Sequence, residues 1–160
     1  MGVKRSGKKR PSRRAAARKH VPQVGALPWR ARNGAIEILL VTSRATGRWV
    51  IPKGGAMPHL VDMNAARQEA LEEAGIVGQM RRKRIGAYTY RKLDLRGPSQ
   101  LCRVKVFALR VESELKYWPE MAQRRRRWFT VKDAMKRVGE RDLRKIMRAF
   151  AKTLTTAKAG

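Results

Sequence analysis

Three glutamates fall within five positions of each other: Glu69, Glu72 and Glu73. If the segment is helical, the i, i+3, i+4 spacing puts their carboxylates on one face. Like charges so placed destabilise a bare helix, and near its C-terminal end the helix dipole disfavours them further. The whole chain holds only 12 acids, so a cluster of three calls for a compensating cation. A hard divalent ion with oxygen ligands, Mg²⁺ or Mn²⁺ where phosphates are handled, would supply it. Neighbouring arginines are the other candidate, since Arg67 and the run around Arg81 to Arg84 are close in sequence. The pair Gly54-Gly55 just upstream allows backbone to approach a metal or a phosphate closely.

The balance of charge points the same way. Among 160 residues, 39 Lys and Arg face 12 Asp and Glu, a formal net charge of +27. Such a surface repels cationic partners and attracts polyanions. Residues 1–36 carry 11 of the cations and no acid, and residues 1–20 offer almost nothing to bury. That stretch is expected to be a mobile basic tail with RNA or another polyanion as its partner, followed by one domain over 21–155. A single cysteine, Cys102, excludes a disulfide framework or a Cys-rich zinc site and suits a reducing compartment. No apolar run approaches the roughly 20 residues that a bilayer requires, and no signal-peptide pattern is visible. The expectation is a cytoplasmic protein without membrane association.

The elements that must position the glutamates are legible in outline. Val21 to Trp29 and Ala35 to Ser43 read as strands, with Asn33-Gly34 closing a hairpin. Trp49 to Ile51 is a short strand stopped by Pro52 and the glycine pair, which reads as a turn. Met63, Ala66, Ala70 and Ala74 recur at helical spacing over Asp62 to Ala74, and Gly75 is a natural stop. Strands return at Ile85 to Lys92, Leu101 to Val111 and Trp128 to Val131, and a helical pattern runs from Lys132 through Ala151. The pattern is a mixed α/β domain with helices covering a sheet. Trp49, Trp128 and Cys102 read as core residues, and His59 as an exposed loop residue.

The segment from Pro52 to Ile76 resembles the Nudix box, G-x5-E-x7-R-E-U-x-E-E-x-G-U with U apolar. Gly54, Glu69, Ala70, Glu72, Glu73, Gly75 and Ile76 match it at the required spacing. The flanks, ILLVTSRATGRWVIPKGG and YWPE followed by RRRRWFTVKDAMK, are similar to the diphosphoinositol polyphosphate phosphohydrolase branch and its bacterial relatives. The resemblance covers about residues 21–150. It implies an α/β/α sandwich with a mixed sheet and cleavage of a phosphoanhydride bond. It also implies that Glu69, Glu72 and Glu73 are catalytic metal ligands, that the backbone at Gly54 completes the shell, and that Glu73 assists the attacking water. In this branch Ser43, Arg44 and Arg48 would contact substrate phosphates. Lys53 and Arg103 could reach the same anion, as could members of Arg124 to Arg127, though a strand cannot turn all four into one cleft.

Two positions depart from the box. Leu60 stands where the pattern has Glu, and Gln68 where it has Arg. Losing one member of a buried ion pair costs about 3–5 kcal/mol, whereas losing both can be near neutral, so the joint change suits a working fold. The expected substrate is a densely phosphorylated small molecule, such as a diphosphoinositol polyphosphate or a dinucleoside polyphosphate. The rival readings are a nucleotide or RNA 5′-end pyrophosphohydrolase, and a weakly active nucleic-acid-binding relative.

Overall fold

Asn33 and Gly34 form a two-residue turn in the computed structural model, which describes residues 19–93 and 96–158. Both turn residues have positive φ, 50° and 76°, the conformation whose twist matches that of the flanking strands. The turn joins β1 (Val21–Arg32) to β2 (Ala35–Thr42), with Arg32 opposite Ala35. Of the expected basic tail, residues 1–18 lie outside the described residues.

The elements that follow are β3 (Trp49–Val50), β4 (Lys53–Gly55), α1 (Asp62–Ala74), β5 (Ile76–Met80) and β6 (Gly86–Lys92). The chain continues through β7 (Gln100–Glu114), β8 (Arg126–Thr130), α2 (Val131–Arg137) and α3 (Arg141–Lys158). β1 is the axis of an eight-stranded mixed sheet. It pairs parallel with β7, from Val21 opposite Cys102 to Trp29 opposite Arg110, and antiparallel with β2 and β4. β5 and β6 add antiparallel to β7, and β3 and β8 to β2.

Residues 23–28 of β1 are buried without a break, as expected for a strand covered on both faces. Alternation then divides the core. Ala26, Leu39, Val41 and Leu109 meet Ala70 and Ala74 of α1, while Val24 and Phe107 meet Ala65 and Ala66. On the opposite face Leu27, Ile38, Leu40 and Val106 pack with Leu143, Ile146, Met147 and Phe150 of α3. The result is the expected sandwich of helix, mixed sheet and helix. Cys102 is a buried thiol, and Trp49 and Trp128 pack against the two larger clusters.

Three local expectations need correction. The glycine pair forms no free turn, because Lys53–Gly55 is a strand on β1 with Gln23 opposite Gly55. Ile76–Met80 is also a strand, β5, held by a non-local partner that nothing in its five residues announces. The helical pattern from Lys132 to Ala151 is interrupted: Val138 is extended, with φ −80° and ψ 145°, and α3 starts afresh at Arg141. Gly139 sits in that break, where Arg144 Nη1 donates to the carbonyls of Val138 and Gly139 at 3.1 and 3.3 Å. Among the described residues, no helix is long and apolar enough to cross a membrane.

Candidate active site

α1 presents alanine to the sheet. Ala65, Ala66, Ala70 and Ala74 have no exposed surface, and their short side chains let the helix axis lie close to β1. The helix ends at Gly75 in the left-handed conformation, φ 63°, with the ring of Trp118 where a Cβ would stand. Here Cβ is excluded both by backbone conformation and by space.

The close approach sets the glutamates against β4. The Glu69 carboxylate rests on the backbone of Gly54, in the volume that any side chain at position 54 would fill. Glu73 is 6% exposed. Its Oε2 accepts from the Lys53 backbone N–H at 3.3 Å, and its Oε1 accepts from Arg124 Nη2 at 3.0 Å. Arg124 is as deeply buried and also donates to Glu120 Oε1 at 3.3 Å and to the Thr42 carbonyl at 3.1 Å. Glu72 accepts from Gln68 Nε2 at 2.8 Å.

The segment carrying Glu120 and Arg124 is stitched to the end of α1. Glu120 N–H donates to the Glu72 carbonyl at 3.0 Å, Leu115 N–H to the Gly75 carbonyl at 2.7 Å, and Trp118 Nε1 to the Glu73 carbonyl at 3.1 Å. Arg126 Nη1 donates to the carbonyls of Ala74 and Gly75 at 2.9 and 3.2 Å, and its guanidinium lies 3.9 Å from the Trp118 ring. A cation there satisfies free carbonyls and complements the negative end of the helix dipole. The basic run therefore divides as the alternation argument requires. Arg124 and Arg126 serve α1, whereas Arg125 and Arg127 lie over Trp49 and Phe129.

These groups open into a cavity of about 550 Å³. Its lining includes Glu69, Glu72, Glu73 and Glu120 together with Ser43, Arg44, Arg48, Lys53 and Arg124. Ser43 lies in a tight loop in which its N–H donates to the Arg48 carbonyl at 2.8 Å and its carbonyl accepts from Gly47 at 2.9 Å. Arg44 and Arg48 remain more than half exposed, with carboxylates at 3.4 Å (Glu120) and 3.7 Å (Glu140). Lys53 is half-buried, with its ammonium 4.8 Å from the Tyr90 ring.

Desolvation dominates the ionisation of the site. Burial, and then repulsion from Glu73, Glu72 and Glu120, pushes the Glu69 carboxyl up to about 7. Burial also raises Glu73 above the ordinary carboxylate range, against the opposing pull of Arg124 and Lys53. Lys53 is lowered, again chiefly by burial. A cation of higher charge than Arg124 would relieve the repulsion at Glu69. The acids that line the cavity, Glu69, Glu72, Glu73 and Glu120, offer only hard anionic oxygen, the chemistry that suits a divalent ion such as Mg²⁺ or Mn²⁺. Among the described residues no three acidic, His or Cys side chains already converge as a ligand set, since Gln68 draws on Glu72 and Arg124 on Glu73.

Of the residues singled out in the sequence, the structure brings Glu69, Glu72, Glu73, Gly54, Ser43, Arg44, Arg48 and Lys53 to one cavity. It does not bring Arg103 there; that side chain is exposed on β7, beyond the cavity lining. His59 is exposed on its loop. Glu120, Gln23, Tyr90, Arg91 and Lys92 join the lining without having been singled out. Only Glu120 carried a signal, as a lone acid next to a dense basic run. The two departures from the box do not meet as a pair: Gln68 serves Glu72, and Leu60 packs with Val24, Ala65, Ala66 and Phe107.

Comparison with known proteins bears on the family and the fold. The model of the NUDIX domain matches residues 19–150. The chain is 38% identical over 103 residues to Nudix hydrolase 12, mitochondrial, of Arabidopsis thaliana, covering 62% of this chain and 51% of the relative. It is 35% identical over 103 residues to diphosphoinositol polyphosphate phosphohydrolase 3-alpha of Mus musculus, covering 62% of this chain and 58% of the relative. The chain thus spans about half the length of the curated relatives it matches. In fold it is similar to a C. elegans Ap4A hydrolase in a binary complex, with a TM-score of 0.64 at 24% identity over 85% of this chain and 98% of that one.

Proposed function

This chain belongs to the NUDIX domain family, and on that premise we propose that it is a metal-dependent hydrolase of phosphoanhydride bonds in a densely phosphorylated small molecule. The observation that carries the reading is the cavity itself, which gathers four carboxylates, Ser43 and a set of cations.

Glu69, Glu72 and Glu73, with the backbone at Gly54, would hold Mg²⁺ or Mn²⁺. When bound, such an ion neutralises charge on the diphosphate oxygens and favours ionisation of a nearby water. The chain's own groups do the rest. Glu73, fixed by Arg124 and the Lys53 N–H, accepts the proton of the attacking water. The new P–O bond forms as the anhydride P–O bond breaks, and the leaving phosphate carries away the electron pair. Arg44 and Arg48, still half in solvent, offer planar donor forks to the non-scissile phosphates, and Ser43 adds a hydroxyl.

The lining also bears on the substrate. Its one ring, Tyr90, has the Lys53 ammonium over its face and donates its hydroxyl to Gln23 at 2.7 Å. That ring is the one aromatic group in the described lining, and Lys53 already lies over a face of it, whereas phosphates find Arg44, Arg48, Lys53, Arg91 and Lys92. This favours a polyphosphorylated polyol, such as the diphosphoinositol polyphosphates named for the mouse relative, over a dinucleoside polyphosphate. The test is product release, resolved by ion-exchange chromatography, from a diphosphoinositol polyphosphate, a dinucleoside tetraphosphate and a 5′-triphosphorylated RNA, each with Mg²⁺ and Mn²⁺. The expected result is fastest release from the first, with a loss of about 10²–10⁴-fold in Glu73→Gln. Absence of divalent-dependent turnover on all three would overturn the reading.

A further inference from the structure

α2 and α3 face each other across a second cavity of about 690 Å³ lined by Val131, Lys132, Met135, Lys136, Arg144 and Arg148. No carboxylate lines it, and among the described residues none of these four cations forms an ion pair. In the catalytic cavity Glu73 and Glu120 each hold an arginine, so the contrast is one of kind. Four like charges around one groove repel each other, and a matching polyanion would remove that repulsion. Val131 and Met135 are half-buried and form an apolar floor between the charges.

We propose that the α2–α3 groove binds single-stranded nucleic acid, with phosphates on Lys132, Lys136, Arg144 and Arg148 and a base lying on Val131 and Met135. An unstacked base has a flat apolar face to offer, and a duplex has none to spare. An anionic membrane matches the charge but not the relief, because interfacial helices project large apolar side chains. Here the apolar side of α3 is spent on the core through Leu143, Ile146, Met147 and Phe150. The exposed large apolar residues, Val21, Val61, Leu93, Tyr117 and Met121, all lie off α2 and α3. The proposal is independent of the hydrolase reading, since no groove residue lines the catalytic cavity.

The experiment is fluorescence anisotropy of the full chain with a labelled 12-nucleotide oligouridylate at several KCl concentrations. The triple variant Lys132→Ala, Lys136→Ala, Arg148→Ala is compared with an equal charge loss at exposed positions elsewhere, Arg32→Ala, Arg82→Ala, Lys116→Ala. Residues 1–18 are present in both, so their contribution cancels in the ratio. The groove variant is expected to bind at least about 10-fold more weakly and to lose about 2 from the salt slope, at roughly 0.7 per phosphate contact. The control should weaken less than about 3-fold, and an abasic strand should bind the parent chain about 3-fold or more weaker than oligouridylate. Lys136→Glu alone should act in the same direction, and covers the case in which the triple variant does not fold. Equal weakening in groove and control variants, or no binding by the parent chain in 50 mM KCl, would overturn the proposal. So would groove-dependent binding to phosphatidylserine vesicles without binding to RNA, and equal affinity for the abasic strand would remove the base contact from it.

Discussion

The two faces of the sheet are covered by helices of opposite design. α1 meets the strands through Ala65, Ala66, Ala70 and Ala74, while α3 meets them through Leu143, Ile146, Met147 and Phe150. Large interlocking side chains bury more apolar area, so the α3 face contributes more to stability. Small ones bury less but let backbones approach. On the α1 face that closeness rests the Glu69 carboxylate on Gly54 and brings Glu73 within reach of the Lys53 N–H. Charged groups are thereby buried, and Arg124 and Arg126 are needed to hold them and the helix end. One face spends its contacts on volume and the other on the exact placement of oxygen atoms.

The largest effect expected from breaking this contrast is at Arg124. Arg124→Ala leaves Glu73 and Glu120 facing each other in a buried setting without their shared cation. Removing one partner of a buried pair costs about 3–5 kcal/mol, and for a domain of this size that lowers Tm by on the order of 10 °C. Thermal melts in the presence of a chelator isolate the effect of the chain's own charges. Unchanged Tm would show that the α1 face does not depend on its counter-cation.

Leu143→Ala tests the other face. Leu143 is fully buried in the cluster beneath α3, and its truncation is expected to cost about 2–4 kcal/mol by urea unfolding. Turnover per folded molecule should stay the same, because nothing on that helix face reaches the glutamates. Gly54→Ala should do the reverse at smaller thermodynamic cost. The added methyl meets the Glu69 carboxylate and forces α1 or that side chain aside, an overpacking cost of about 1–3 kcal/mol. A displacement of this size in a positioned group is worth about 100-fold in kcat. If Gly54→Ala lost stability but kept its turnover, the close approach of α1 would have no catalytic meaning.

What the sequence disclosed follows the same division. α1 was legible from Asp62 to Ala74, with its stop at Gly75, because alanine spacing, the glutamate trio and a left-handed glycine are all local signals. The hairpin at Asn33-Gly34 was legible for the same reason. β5 was not, since Ile76–Met80 becomes a strand only by pairing with Met80 opposite Leu109 and Ile76 opposite Glu114. The special place of Arg124 within its run was equally hidden: alternation shows that four arginines must divide, but not which one meets Glu73, 51 positions away. The break between α2 and α3 was not legible because a lone glycine is tolerated in a helical pattern, and the Arg144 side chain that meets the carbonyls of Val138 and Gly139 there gives no local signal.

The smallest effect is expected at the departure from the box. An arginine at position 68 would have a carboxylate partner at position 60 in the general pattern, but here Leu60 is packed among Val24, Ala65, Ala66 and Phe107. Gln68 instead donates to Glu72 at 2.8 Å, a neutral donor steadying a half-buried carboxylate. Gln68→Arg would meet the same acceptor with a charge, exchanging a neutral hydrogen bond for a partly exposed ion pair worth about 0–1 kcal/mol. Turnover is therefore expected to change less than about 3-fold, with any change downward if the guanidinium competes with a divalent ion for Glu72. Steady-state kinetics on the best substrate of the panel decides it. A several-fold gain from this single substitution would mean that the neutral pair impairs the helix, and that α1 is held less firmly than its contacts with Arg124, Arg126 and Gly54 imply.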